Sequence, residues 1–320
     1  VRQGSRASLL GRVLACVQLA KLARMTEVAL PEVLELVLHA RPRDLGGGFM
    51  VGRALPSAQR RMVGSFIFFD HMGPMDMAPG TGTDVRPHPH IGLATVTYLF
   101  SGEIFHRDSL GSAQAIRPGD VNWMIAGRGI AHSERTAPEL RAQGHRLHGI
   151  QAWVALPTEH EEDAPAFFHH PKSSLPAIER TGVKLRVIAG TAYGETSPVV
   201  VSSPTFYVDA QLAAGASLDF PDDHEERACY VVTGEVQIAG QTFGERSLII
   251  ARPGERVTID TTQPSQIMLL GGAPLGERNI DWNFVSSSKE RIEKARSDWK
   301  ERRFPLVPGD EIEFIPLPER

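Results

Sequence analysis

The sequence predicts an all-β fold of two related domains in tandem, followed by one amphipathic helix. Three observations carry this. From about residue 48 onward, short apolar or alternating runs such as GSFIFFD, LATVTYLF, VNWMIA and GIQAWVAL are separated by Gly, Pro, Asp and Ser, the pattern of strands joined by turns. The chain also resembles itself: YLFSGEI at 98–104 matches YVVTGEV at 230–236, and GDVNWMIAGRG at 119–129 matches GERSLIIARPG at 244–254. Near the C-terminus, SSSKERIEKARSDWKERRF sets Ile292, Ala295 and Trp299 at helical spacings of three and four behind serines suited to an N-cap.

In chain order, residues 1–33 are expected as an extension. The first 24 positions hold Arg2, Arg6, Arg12, Lys21 and Arg24 and no acid, as in a targeting peptide, but the apolar stretch Leu14–Ala20 is interrupted by Gln18 and is too short for a membrane span. The plainest reading starts the natural protein at Met25 and makes the upstream part a helical or disordered extension. Residues 34–156 are the expected first β-domain. The segment PTEHEEDAPAFFHHPKSSLPAIE at 157–179 is charged and proline-rich without a sustained period, and reads as an interdomain linker. Runs such as VKLRVIAG, PTFYVDAQL and RACYVVTGEVQIAG then place a second β-domain at 180–286. Residues 287–320 contain the helix, of about four turns, and a tail, EIEFIPLP, expected to pack on a barrel as a strand or extended segment.

Composition narrows the function. With 34 basic against 38 acidic residues the net charge is −4, which offers no broad attraction for nucleic acid or anionic lipid. The Lys, Glu and Arg residues of the helix are explained as a solvated face. Two cysteines, Cys16 and Cys229, cannot build a disulfide framework, so a reducing, cytoplasmic location is expected.

The chemistry is concentrated in RPHPHIG at 86–92 and GRGIAHSE at 127–134. Side chains alternate along a strand, so His88 and His90 project from one face, and so do His132 and Glu134. If both segments are strands of one barrel and both pairs point inward, three imidazoles and one carboxylate surround a single point, which outlines a metal site. Pro87 and Pro89 cannot donate to a ladder, which puts their segment at an edge or barrel mouth. A histidine alone is more often structural than a ligand, but two such pairs beside Gly and Pro are hard to explain that way. All histidines except His224 precede residue 171, which locates the chemistry in the first domain. Aligned through the repeat, the four site positions correspond to Phe220, Asp222, Val257 and Ile259, so the second domain cannot reproduce the site.

Other candidates carry less. His71 and His106 lie near turns where Asp70, Asp108 and Ser109 can satisfy their ring nitrogens, and read as structural. His169 and His170 read as surface residues of the linker. Met72, Met75 and Met77 read as core or pocket fillers. Trp123 and Met124 can be either core or the wall of a partly dry aromatic pocket.

FFDHMGP, RPHPHIGLATVTYLFSGEIFHRDS, GDVNWMIAGRGIAHSE and SSSKERIEKARSDWKERRF together resemble the pirin family of the cupin superfamily, over roughly residues 34–303. Gly82, His88 and His90 fit the general cupin pattern, but Thr95 stands where its glutamate belongs. In pirins the carboxylate comes from the later element, here His132, Ser133 and Glu134. The resemblance implies two antiparallel jelly-roll barrels with one Fe(II) per chain, held by His88, His90, His132 and Glu134 in the first barrel. Such a mixed nitrogen and oxygen set also suits manganese, cobalt, nickel, copper or zinc. The implied activity is quercetin 2,3-dioxygenase-like opening of the central ring of a flavonol by O2 with release of CO, Glu134 being a ligand able to accept the substrate proton. The alternative is an iron-containing, redox-sensitive regulator that acts through a protein partner. A monomer is expected, without direct nucleic acid or membrane binding.

Overall fold

Each of the apolar runs forms a strand, and the strands assemble into two barrels, each with one large and one small antiparallel sheet. The computed structural model describes residues 29–46 and 48–319. The expected extension up to Arg24 lies outside the described residues. Residues 33–320 group into one unit.

The large sheet of the first barrel runs Ala166–His170, Val121–Ile125, Leu93–Ser101, His145–Ala155, Phe66–Met77, Met50–Leu55 and Arg41–Asp44. It faces a small sheet ordered Asp84–His90, Ile130–Arg135, Ile104–Asp108 and Ala113–Ile116. In the second barrel, Ser247–Ala251, Glu226–Thr233, Ser265–Gly272, Thr205–Leu212 and Val183–Ala192 form the centre of the large sheet. Its small sheet is Ser217–Asp219, Thr258–Asp260, Glu235–Ile238 and Gln241–Gly244. The duplicated hairpins differ in length, as the repeat offsets predict. Four residues, 109–112, join the strands of the first, while Ala239 and Gly240 alone join those of the second.

The two large sheets pack on each other, so each is buried on both faces. Phe66, Phe69, Tyr98, Trp123 and Ile150 of the first barrel share an apolar cluster with Ile188, Tyr207, Tyr230, Leu248 and Met268 of the second. The tyrosines matched by the repeat, Tyr98 and Tyr230, both lie in this shared layer. The opposite face of each large sheet lines its own barrel. In the second barrel that interior is apolar, filled by Val187, Phe206, Phe220, Ile249, Val257, Ile259 and Ile267. Three of the four positions aligned with the candidate site are thus hydrophobic packing, and Asp222 is exposed.

The chain ends cross over, and here the expected boundaries need correction. Leu34–His39, assigned above to the first domain, pairs with Ser247–Ala251 of the second barrel. It covers an otherwise open sheet edge, which explains why a half-apolar segment is recruited there. The expected linker contributes a strand of its own, Ala166–His170, which pairs with Val121–Ile125 of the first barrel. The hairpin Asn279–Asp281 and Phe284–Ser286 returns from the second barrel to the first, where Phe284 bridges to Ile91.

The helix spans Lys289–Lys300, 12 residues, shorter than the four turns expected. The Ser288 hydroxyl accepts the Arg291 N–H at 3.2 Å as its N-cap. Ile292, Ala295 and Trp299 form its buried stripe and pack with Ile91, Ala131 and Phe284 of the first barrel. The tail that follows forms no strand. It lies extended, with Phe314 and Leu317 against this cluster and the Ile315 N–H donating to the Pro87 carbonyl at 2.8 Å. No helix among the described residues is long and apolar enough to cross a membrane.

Candidate metal centre

The strand Asp84–His90 is the edge strand of the small sheet, where its prolines forfeit no ladder bonds to a second neighbour. It runs antiparallel to Ile130–Arg135, with His132 opposite His88 and Ile130 opposite His90. A bulge between His132 and Glu134 brings Glu134 opposite Val85. Two i, i+2 pairs on neighbouring strands therefore point into one barrel. All four residues are buried, His90 and His132 to within 1% of full burial.

One ligand nitrogen from each of His88, His90 and His132 lies within 4.8 Å of the others. His90 Nε2 and His132 Nε2 are separated by 3.1 Å. Their other nitrogens are tied outward. The His88 Nδ1–H donates to the Arg86 carbonyl at 2.9 Å, and the His90 Nδ1–H donates to the Asn283 carbonyl at 3.0 Å. A carbonyl only accepts, so both Nδ1 atoms carry the proton and both Nε2 lone pairs point inward. Burial pushes His90 and His132 well below the ordinary imidazole range, and the charges of neighbouring imidazoles add to it. His88 is lowered as well, chiefly by burial, with the Glu134 carboxylate pulling the other way. Neutral imidazoles converging in a buried interior are what a divalent metal requires, so the residues fit one.

The Asn283 carbonyl reaches His90 because Gly92 lets the C-terminal hairpin come close. Gly92 has φ +65°, and a Cβ there would sit 2.0 Å from the Val285 carbonyl oxygen. The glycine of RPHPHIG thus serves the site from two positions beyond the histidine.

Glu134 shares the interior but is held by the large sheet. Its carboxylate accepts the Thr97 hydroxyl at 3.2 Å and the Gln151 amide at 3.0 Å, and these two donors are cross-strand neighbours. Trp153 meets His90 edge to face, with centroids 5.1 Å apart, and stacks on Phe68 at 4.0 Å. The Arg53 guanidinium covers the Phe68 ring at 4.3 Å and makes a bidentate pair with Asp70 at 2.8 and 2.7 Å. Met124 joins Phe68, Trp153 and Leu93 in one apolar cluster.

Family models match residues 48–154 as Pirin and residues 207–305 as the Pirin C-terminal cupin domain, together more than half of the chain. The chain belongs to the pirin family. A pirin-like protein of Caulobacter vibrioides is 53% identical over 290 residues, covering 90% of this chain and 100% of that one. Two solved structures of quercetin 2,3-dioxygenase from Acinetobacter baumannii have the same two-barrel cupin fold. The first is 33% identical with a TM-score of 0.82, covering 89% of this chain and 95% of its own; the second is 27% identical at 0.78, covering 85% and 97%.

Within this pirin fold several residues differ from their expected surroundings. Trp123 faces the second barrel, and Met124 alone of that pair faces the first interior. His71 is bonded not to Asp70, which is engaged by Arg53, but to the Tyr230 hydroxyl at 3.0 Å and His148 Nε2 at 2.8 Å, inside the layer between barrels. His106 does pair with Asp108, at 3.0 Å, and also lies against His132, with Nδ1 atoms 3.4 Å apart. His169 and His170 are half-buried strand residues rather than surface ones, and His169 Nδ1 meets Asn122 Oδ1 at 2.7 Å. Met72 is core, as expected. Thr97, Gln151 and Arg53 were not singled out in sequence. Their signal is a polar residue interrupting an apolar strand, as in GIQAWVAL.

Proposed function

We propose that the first barrel is an iron(II)-dependent dioxygenase that opens the central ring of a flavonol such as quercetin with O2 and releases CO. The observation that carries this reading is the convergence of three neutral imidazole nitrogens beside a buried carboxylate. The names of the Acinetobacter structures support the substrate class. His88, His90 and His132 hold the metal, with Glu134 as a further ligand. Bound iron supplies Lewis acidity toward the flavonol 3-hydroxyl and 4-carbonyl oxygens and a route for engaging O2.

The chain's own residues do the remainder. Glu134 receives the 3-hydroxyl proton on a carboxylate oxygen. Each oxygen already accepts one hydrogen bond, from Thr97 or Gln151, and retains capacity for another. Those two donors hold the carboxylate aimed until the proton arrives. Trp153, Phe68 and Met124 present an apolar wall that excludes water beside His90 and suits a planar aromatic ligand.

The test is an oxygen-electrode and CO assay on protein loaded with Fe(II) under anaerobic conditions and then mixed with quercetin and O2. Equimolar consumption of quercetin and O2 with CO formation is expected. Protein that holds iron but consumes no O2 with any of a panel of flavonols overturns the enzymatic reading and leaves the redox-sensitive regulator, acting through a protein partner, in its place.

A further inference from the structure

We infer that Asp70, held in place by Arg53, is a specificity-determining residue of the first barrel, where it accepts hydroxyl groups on the substrate ring remote from the metal centre, an inference that rests on the flavonol reading above and narrows its substrate class to planar phenols hydroxylated at that end. Cross-strand partners share a face of a sheet, and so do residues two apart in one strand. On the face turned to the first interior, Phe68, Trp153, Thr95, Met124 and Phe167 are successive partners and form one rung across five strands. Two residues further along each strand, the next rung is Arg53, Asp70, Gln151, Thr97, Asn122 and His169. An almost apolar rung thus lies beside a wholly polar one, about 7 Å away.

The fold does not require polar residues there. In the second barrel Cys229 precedes Tyr230 as Thr97 precedes the matching Tyr98, and its rung is Cys229, Leu269, Val208 and Val187, all part of the apolar interior. Where the first barrel sets Asp70 and Arg53, the second sets Val208 and Val187. Asp70 is 1% exposed, and a carboxylate is costly to bury without a partner. Arg53 is that partner: its Nε and Nη2 donate to the two oxygens at 2.8 and 2.7 Å, while its guanidinium lies over the Phe68 ring. Each Asp70 oxygen has capacity for one more hydrogen bond. At the far side of the rung, Asn122 turns one end of its amide to His169 at 2.7 Å, and the other end has no partner among the described residues. The polar rung therefore retains hydrogen-bonding capacity that no described residue fills.

Two such rungs fit a planar ligand that is apolar on its face and polar along one edge. Trp153 meets His90, and Thr97 and Gln151 hold Glu134, so the candidate centre stands over the middle strands of both rungs. Thr97 and Asp70 are two strand spacings apart, about 10 Å, a reach that suits one further ring beyond the ring engaged at the centre. That further ring lies along Phe68 with its hydroxyl edge toward Asp70, and a phenol O–H donates to the carboxylate. A ring without hydroxyls is discriminated against, because its entry strips water from a charged group and returns no hydrogen bond.

The test compares quercetin with galangin, which lacks only the two hydroxyls of the pendant ring, by calorimetric titration of the Fe(II)-loaded chain under anaerobic conditions. The parent is expected to bind quercetin about 10–100-fold more tightly than galangin. Asp70→Asn removes the charge, and Arg53→Val combined with Asp70→Val reproduces the rung of the second barrel. Apolar residues often replace a buried ion pair without loss of stability, so the double variant decides the question if Asp70→Asn does not fold. In each variant quercetin is expected to weaken until the two flavonols bind almost alike. A parent that binds both alike, or variants that keep the preference, overturn the inference. So does equal weakening of both flavonols, the mark of a purely structural pair. A parent that binds neither flavonol overturns the flavonol reading itself, and this inference with it.

Discussion

Glu134 is one carboxylate among three imidazoles, and its two oxygens are each met by a donor. Replacing it with glutamine keeps the volume but removes both the charge and the proton acceptor, and turns one of its two polar ends into a donor that faces Thr97 or Gln151. Turnover of quercetin by the iron-loaded Glu134→Gln protein is expected to fall about 10²–10⁴-fold, the range for losing a general base. An oxygen-uptake assay on variant and parent at equal iron content measures it, and equal rates would remove Glu134 from the proton step. These residues were legible in sequence because a strand repeats every two residues, so HPH and HSE each declare a shared face. The donors that hold Glu134 were not. Thr97 and Gln151 sit in otherwise apolar runs on a third and fourth strand, and only the register of the large sheet brings them together. Trp123 and Met124 show the converse difficulty. Both are almost completely buried, so the sequence around them lacks the polar alternation that tells one face of a sheet from the other.

Among the elements, the duplicated hairpins show how a turn is chosen by the space it spans. The longer hairpin of the first barrel provides the buried Asp108 and its four-residue turn, while the shorter one in the second barrel ends in Ala239 and Gly240, both with positive φ, at +49° and +81°. A two-residue hairpin turn with both centres left-handed favours Asn-Gly, and alanine tolerates that conformation poorly. Ala239→Asn is expected to stabilise the chain by about 1 kcal/mol, seen as a higher guanidinium midpoint. An unchanged or lower midpoint would mean that the neighbouring strands already compensate for the alanine. The shortening of this hairpin was readable from the two repeat offsets, and the helix Lys289–Lys300 from its apolar spacing. The partner of Leu34–His39 was not readable, because an edge strand with one half-buried face fits any open sheet edge of matching length.

At the scale of the whole molecule, the two barrels meet through a layer that contains a pair of neutral histidines. Burial, followed by repulsion from nearby charges, lowers His71 to about 3 and His148 to about 4, with Arg146 and Arg246 opposing the charged form of His148 and Glu245 favouring it. The unfolded chain takes up these protons near 6.5 and the folded chain does not, so the unfolded state binds more protons between pH 6.5 and about 4. Stability is therefore complete above pH 6.5 and declines on acidification through that window. A melting midpoint lower by at least about 5 °C at pH 4.5 than at pH 7 is expected, with a shallower decline in His148→Gln; parallel profiles would mean that the pair does not govern acid sensitivity. The crossing of the chain ends sets a further condition, one of order in time. The first barrel contains its histidine strands early, but the carbonyl that orients His90 belongs to Asn283, 193 residues later, and the N–H that caps Pro87 belongs to Ile315. Leu34–His39, among the first described residues to leave the ribosome, must likewise wait for Ser247–Ala251. A chain still being translated thus carries the three imidazoles before the backbone groups that orient them, and the centre becomes competent only once the segment reaching Asn283 and Ile315 has been made.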